Sequence, residues 1–358
     1  MSLTLQLIPP DLSSVYHNSS MKQQSDYETQ TGRSVLPALQ PVYQSAPAVW
    51  NIDLSERKAS LFLEVLKLQT EKKPVELRDC LSSSFLMSII REIYETRSAH
   101  CVSSLLSSVE NYINLSTRVL DTVDCAALCF TLQHSKGVRL NLLWTSIPEE
   151  AIENILPFLN TISHLSVDRR LLLRLLHCCC MDSELQQGAA AALLRALQHT
   201  LDFSCCSAVD LSTESEGETL HLSPEHCRLI SMAIQSSDSN THLILQDCDI
   251  QDAGLNELFP ILHKIRLSCS KNLLLQFLTL VCVGTESGSV KCAVALSQAL
   301  GDEVDFSETR LDLQACRSLA LVLEHSDGLS ELDLSHCQLT DHCLELLLPH
   351  LHKTQVLE

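Results

Sequence analysis

The sequence predicts an α/β fold, and two spacings carry the prediction: apolar residues two apart in short stretches, and leucines at helical spacing in the segments between them. The first spacing puts both side chains on one face of a strand, and the second gives a helix one apolar stripe. A third observation is that the pairs recur, mostly about 20 to 28 residues apart, close to the 20–29 residues of a leucine-rich repeat. Each strand is followed by a helix that returns the chain to the same end, so the strands should run parallel. The expected architecture is a leucine-rich-repeat solenoid, a horseshoe with parallel strands on the concave face and helices on the convex face.

Composition narrows the class further. Of 358 residues 45% are hydrophobic but only 4% aromatic, with nine glycines, which suits a leucine-built stack better than a sandwich or barrel. The formal net charge of −19 repels phosphate backbones and anionic headgroups, which predicts no nucleic-acid and no membrane partner. The seventeen cysteines are odd in number and often adjacent, as in Cys178-Cys179-Cys180, and many stand where a small hydrophobe would serve. That usage predicts a reducing, cytoplasmic location. Met1–Pro10 has no basic residue and no secretory pattern. The nearest approach to a membrane span, Leu273–Val283, is short of the roughly 18 residues required and contains Gln276 and Thr279.

Residues 1–48 read as a leader. Ser13–Ser34 is polar and should lack stable structure, while Leu36–Tyr43 suggests a short helix limited by Pro37 and Pro41. Residues 49–200 read as degenerate repeats, with strand pairs at Ile52/Leu54, Val75/Leu77, Ile113/Leu115, Val138/Leu140 and Leu165/Val167. Lys58–Gln69, Pro148–Leu159, Arg170–His177 and Ala189–His199 carry helical apolar spacing. Pro148 before Glu149-Glu150 suits a first turn, where a missing N–H costs nothing and acids meet the positive dipole end.

Residues 201–358 hold the regular repeats. Leu329-Ser-Glu-Leu332-Asp-Leu334-Ser-His-Cys337-Gln-Leu339 fits L-x-x-L-x-L-x-x-C-x-L, and Asp341–His350 adds a leucine stripe. Leu332 and Leu334 enter the core, Asp333 points away, and Cys337 is expected to engage backbone in the following turn. Leu243-Ile-Leu245-Gln-Asp-Cys248-Asp-Ile250 with Asp252–Leu262 is a second copy, with Pro260 in the place of Pro349. Leu201-Asp-Phe203-Ser-Cys-Cys206 is a third. Further pairs lie at Leu220/Leu222, Ile265/Leu267 and Val304/Phe306, and further helices at Glu225–Gln235 and Val290–Leu300. Gaps of about 40 residues precede Ile113, Leu201 and Val304, beyond the single-unit range, and fit a degenerate unit, a second helix or a loop alike. The chain closes at Thr354–Glu358 on what reads as another strand, which predicts a truncated product or a fragment of a longer protein.

The Leu243–Leu262 and Leu329–Leu351 units resemble the ribonuclease-inhibitor-like repeats of NOD-like receptors, cytoplasmic innate immune sensors. The turn positions Cys248 and Cys337 and the Asp-x-x-Leu…Leu-x-Pro-x-Leu helices carry the resemblance. Arg310–His325 is similar to irregular repeats of the branch expanded in fish. The likeness covers residues 200–358 well and 49–200 loosely. It implies a sensing or autoinhibitory repeat region with a partner-binding surface. The chain has no G-x-x-x-x-G-K-[ST] loop, so the nucleotide-binding NACHT module of that family is not carried over.

No catalytic or cofactor chemistry is expected. His177-Cys178-Cys179-Cys180 and His221…His226-Cys227 lack paired zinc knuckles, since adjacent cysteines cannot all face one tetrahedral ion. No recognised signature surrounds any cysteine as a nucleophile. The expected site is instead the concave row of outward strand residues: Asp53, Glu76, Arg78, Arg139, Asn141, His164, Ser166, Asp168, His242, Gln246, Arg266, Asp305 and Asp333. Parallel strands would set them in rows about 4.8 Å apart, a polar array suited to a protein partner. The expected function is non-catalytic protein binding. The alternatives are a free-standing ribonuclease-inhibitor-like protein that binds a basic enzyme, and an all-helical HEAT or armadillo adaptor.

Overall fold

The computed structural model describes residues 50–51, 75–76, 83–180, 188–205, 219–282, 286–301, 303–326 and 329–357. The leader, the Ile52/Leu54 pair and the helix expected at 58–69 lie outside the described residues. The chain forms two compact units, one ending at Ser166 and one beginning at Val167.

In the first unit β1 (Trp50–Asn51) pairs in parallel with β2 (Val75–Glu76). Then follow α1 (Ser83–Glu95), α2 (Ala99–Ser108), β3 (Tyr112–Asn114), α3 (Thr122–Gln133), β4 (Val138–Leu142) and α4 (Glu149–Ile155). A 3-10 turn, Leu156–Thr161, leads into β5 (Ile162–Val167). The second unit opens with α5 (Arg169–Cys180) and α6 (Ala189–Ala196), then β6 (Thr200–Asp202), β7 (Leu220–Leu222), α7 (Pro224–Gln235), β8 (Thr241–Leu245) and β9 (Cys248–Ile250). It continues with α8 (Asp252–Leu258), a 3-10 turn Phe259–Lys264, β10 (Ile265–Cys269), α9 (Lys271–Val281) and α10 (Glu286–Ala299). It closes with β11 (Glu303–Asp305), α11 (Leu313–His325), β12 (Leu329–Asp333), α12 (Asp341–Leu347), a 3-10 turn Leu351–Lys353 and β13 (Thr354–Leu357).

Mixed α/β structure with short parallel strands is thus observed, and it excludes the all-helical alternative. Three sheets of three strands share one order in the chain: β3-β4-β5, β6-β8-β10 and β11-β12-β13. Apolar residues face each other across the ladders, with Ile113 opposite Leu140, Leu243 between Leu201 and Leu267, and Val304 opposite Leu332. All of these are buried. Within each set the first strand leads to a full helix (α3, α7, α11). The second leads to a short helix and a 3-10 turn (α4, α8, α12). The long gaps each hold a second helix, α1 with α2, α5 with α6, and α9 with α10.

The repetition reaches individual backbone angles. Thr117 and Glu308 occupy one position with φ of 59° and 60°, and Trp144 and His336 another with 53° and 56°, a region that non-glycine residues enter rarely. The full helices start on side-chain caps at matching places. Asp121 accepts from the Asp124 amide at 2.7 Å, Ser223 from His226 at 3.3 Å and Asp312 from Ala315 at 2.8 Å. Each satisfies an N–H with no partner inside its helix. Four residues past each cap a cysteine is buried: Cys125, Cys227 and Cys316.

Three expectations are corrected. Leu220 and Leu222 do not add a strand to the main row, because β6 pairs directly with β8 while β7 pairs with β9. They form a second ladder between neighbouring repeats, beside the main one, which the bridges Val119–Ser146 and Arg310–Gln338 reproduce elsewhere. Next, β5 is irregular. Ile162 and Leu165 are buried while Ser163 and His164 between them are both exposed, so it carries one more residue than β10 does between Ile265 and Leu267, in the manner of a bulge. Finally, the Cys337 thiol reaches the preceding repeat instead of its own turn, donating to the Phe306 carbonyl at 2.9 Å. Cys248 does the same to Phe203 at 3.7 Å, and Thr145 to Leu115 at 2.8 Å.

Candidate functional site

The strand residues between the buried apolar positions form outward rows. In the first unit Tyr112 stands opposite Arg139, whose guanidinium lies 5.4 Å from the ring centroid and donates to the Glu110 carbonyl at 3.3 Å. Asn141 donates to the Tyr112 hydroxyl at 3.2 Å. His164 is exposed on β5, its Nε2 at 3.3 Å from the Ser166 hydroxyl. In the second unit His242 stands opposite Arg266, and its Nε2 lies 2.9 Å from the Ser268 hydroxyl. Arg266 is exposed. Asp305 stands opposite Asp333 in the third sheet.

Lys271, at the start of α9, places its Nζ 2.8 Å from Asp305 and also donates to the Ser307 hydroxyl at 2.6 Å. This bond from Lys271, with help from Ser307, holds the Asp305 carboxyl below the usual range. Asp333 is lowered too, through its hydrogen bonds with Ser335. Both carboxylates are therefore ionised at neutral pH.

Two expected members belong elsewhere. β5 ends at Val167, and Asp168 accepts from the Arg170 and Leu171 amides at 2.9 and 3.0 Å, so it caps α5. Gln246 is exposed in the turn after β8, which ends at Leu245. Glu76 lies in β2, while Asp53 and Arg78 fall outside the described residues.

A structural role was legible but missed. Asn114, Asn141, Asp202, Asp305 and Asp333 each accept the amide two residues on, at 2.8–3.1 Å, a side-chain turn that ends the strand. Four of the five read Asn or Asp, then Leu or Phe, then Ser. This bond uses part of the acceptor capacity of Asn141, Asp305 and Asp333, and leaves the rest facing outward. Tyr112 and Lys271 also join the rows without having been expected there.

No known family model matches the sequence, and no characterised protein matches it to a significant degree.

Burial pushes the thiols of Cys125, Cys179, Cys227, Cys248, Cys269 and Cys316 up to about 12, so they are protonated near neutral pH and poor nucleophiles. Among the described residues no three His, Cys, Asp or Glu side chains converge as a metal site. No helix among them is long and apolar enough to cross a membrane. The rows offer carboxylates, guanidinium groups, imidazoles and an aromatic edge, which suit hydrogen-bonded and ionic recognition.

Proposed function

We propose that this chain is a non-catalytic, leucine-rich-repeat-type scaffold that recognises a protein partner through its outward strand rows. One observation carries the reading: the ladders bury Ile113 with Leu140, Leu201 with Leu243 and Val304 with Leu332, and present polar, charged or aromatic side chains between them on the other side. A solenoid that resembles the sensing or autoinhibitory region of a cytoplasmic NOD-like receptor fits this build, with the shared turn cysteines and helix patterns as its support. Few residues of such a face carry much of the energy, and Arg and Tyr are the usual ones, which singles out Arg139, Tyr112 and Arg266.

A photo-crosslinking residue at Arg266, compared with one at exposed Met232 on the helical side, tests this in extracts of the source cells. The reading expects a protein adduct from the strand position alone, lost on Asp333→Lys. Equal labelling from both positions contradicts it. The alternative of an inhibitor-like protein that binds a basic enzyme is favoured by the net charge of −19 and the ionised Asp305 and Asp333. It expects an adduct confined to basic, enzyme-like proteins.

A further inference from the structure

The buried cysteine four residues past each full-helix cap, Cys125, Cys227 or Cys316, lies on a helix that packs on the short helix of the next repeat. The pairs are α3 on α4, α7 on α8 and α11 on α12. On the short helix one position matches in all three sets, six residues past Thr145, Cys248 and Cys337. It holds Ala151, Gly254 and Cys343, and all three are buried. Only in the third set does this position carry a second sulfur.

The matched site in the second set gives the spacing. A β-carbon added at Gly254 would stand 3.0 Å from the Cys227 Sγ. Across a disulfide, with its S–S bond of about 2.05 Å, the β-carbon of one cysteine lies about 3 Å from the sulfur of the other. Helix packing at this place therefore has the spacing of a disulfide, and Cys316 with Cys343 supplies both sulfurs. Both are free thiols, 0% and 1% exposed. The Thr340 hydroxyl donates to the Cys343 Sγ at 3.1 Å, and the Leu311 carbonyl, just before α11, lies 3.8 Å from it. Burial, and then contact with the Cys343 thiol, push Cys316 up to about 12. Against burial, hydrogen bonds from Thr340 and Cys316 bring Cys343 below its ordinary value. The two thiols are thus unlike, and Cys343 is the more readily ionised.

We propose that Cys316 and Cys343 are a peroxide-sensitive thiol pair whose oxidation to a disulfide ties α11 to α12 and locks two repeats of the third set together. The Cys343 sulfur attacks one oxygen of hydrogen peroxide, the O–O bond breaks and water leaves, which makes a sulfenic acid. The Cys316 sulfur then attacks the Cys343 sulfur. The S–S bond forms, the S–O bond breaks, and the oxygen leaves as a second water that carries the Cys316 proton. Each sulfur is oxidised by one electron and the peroxide is reduced to two waters. The oxidant has to be small, because neither thiol is exposed. The lock lies between helices, so it stands apart from the strand-row reading.

The test is mass-spectrometric mapping of the full chain after brief treatment with hydrogen peroxide. Remaining thiols are blocked, and the chain is cut before its aspartates, where Asp341 separates Cys337 from Cys343. A Cys316–Cys343 link is expected in the folded chain. Oxidation should also slow hydrogen exchange in α12 by about tenfold or more, since the cross-link restrains openings that part the two helices. Cys343→Ala places there the residue that α4 carries, so it keeps the fold, forms no link and shows no slowing with peroxide. Free Cys316 in a sample whose exposed Met232 is already oxidised overturns the proposal, as does a link from Cys316 to Cys337 or one that forms only in urea. A link that leaves exchange in α12 unchanged overturns the lock.

Discussion

Thr145, Cys248 and Cys337 stand at one position of three repeats, and each donates to the carbonyl of the residue just past the preceding main strand. The sequence pattern pointed to cysteine there, but a single repeat cannot show that its partner is a neighbour; the bond exists only when units stack. Thr145 is the sharpest case because it is buried and its bond is short. Thr145→Val keeps the shape, leaves the Leu115 carbonyl without that donor and should cost about 1–3 kcal/mol in urea unfolding. Unchanged stability would show the bond to be incidental. The buried thiols give a pH prediction. Their folded values near 12 lie above the ordinary 9.0, so from about pH 9 upward the unfolded chain releases protons that the folded chain retains. Stability should therefore fall as pH rises from 9 toward 12. A serine variant of Cys316 should show a shallower fall than the parent, and an identical slope would contradict the assignment.

At the scale of the element, the strands were legible, as were α5, α6 and α10 of the paired helices, whereas α1, α2 and α9 were not. Residues two apart report a strand face directly, which located β3, β4, β6, β8, β10, β11 and β12. Leu273–Val281 is apolar on nearly every side because it packs on several neighbours, and such a run has no period to read. The extra residue in β5 was equally invisible, since a pattern of period two cannot announce its own break. Two substitutions test the helix accounts. Asp312→Ala removes the cap of α11 and should cost about 1 kcal/mol, measured as a lowered urea midpoint. Gly254→Ala places a methyl 2.9 Å from Ile250 Cγ2 and 3.0 Å from Cys227 Sγ, where α8 meets α7. Crowding of that kind typically costs about 1–3 kcal/mol. A neutral Gly254→Ala would mean that α8 can slide away from α7.

At the scale of the molecule, recurrence was read from the sequence as a run of single units, but the structure groups them in threes. A strand with a full helix, a strand with a short helix and 3-10 turn, and a strand with a helix pair make one module. The module explains why the intervals between strands are uneven, and why only some repeats resemble a regular consensus. Outward residues were largely placed by alternation alone, whereas Asp168 and Gln246 were lost because the ends of strands do not show in alternation. Modules of this kind are stabilised by their neighbours, so cooperative loss should follow module borders. Native-state hydrogen exchange with mass spectrometry on the whole chain tests this most directly. The account predicts that the three middle strands, β4, β8 and β12, are the slowest to exchange, flanked in each case by faster first and third strands. Protection limited to residues 200–358, or slowest exchange in the helix pairs with none in β4, would contradict the three-strand module.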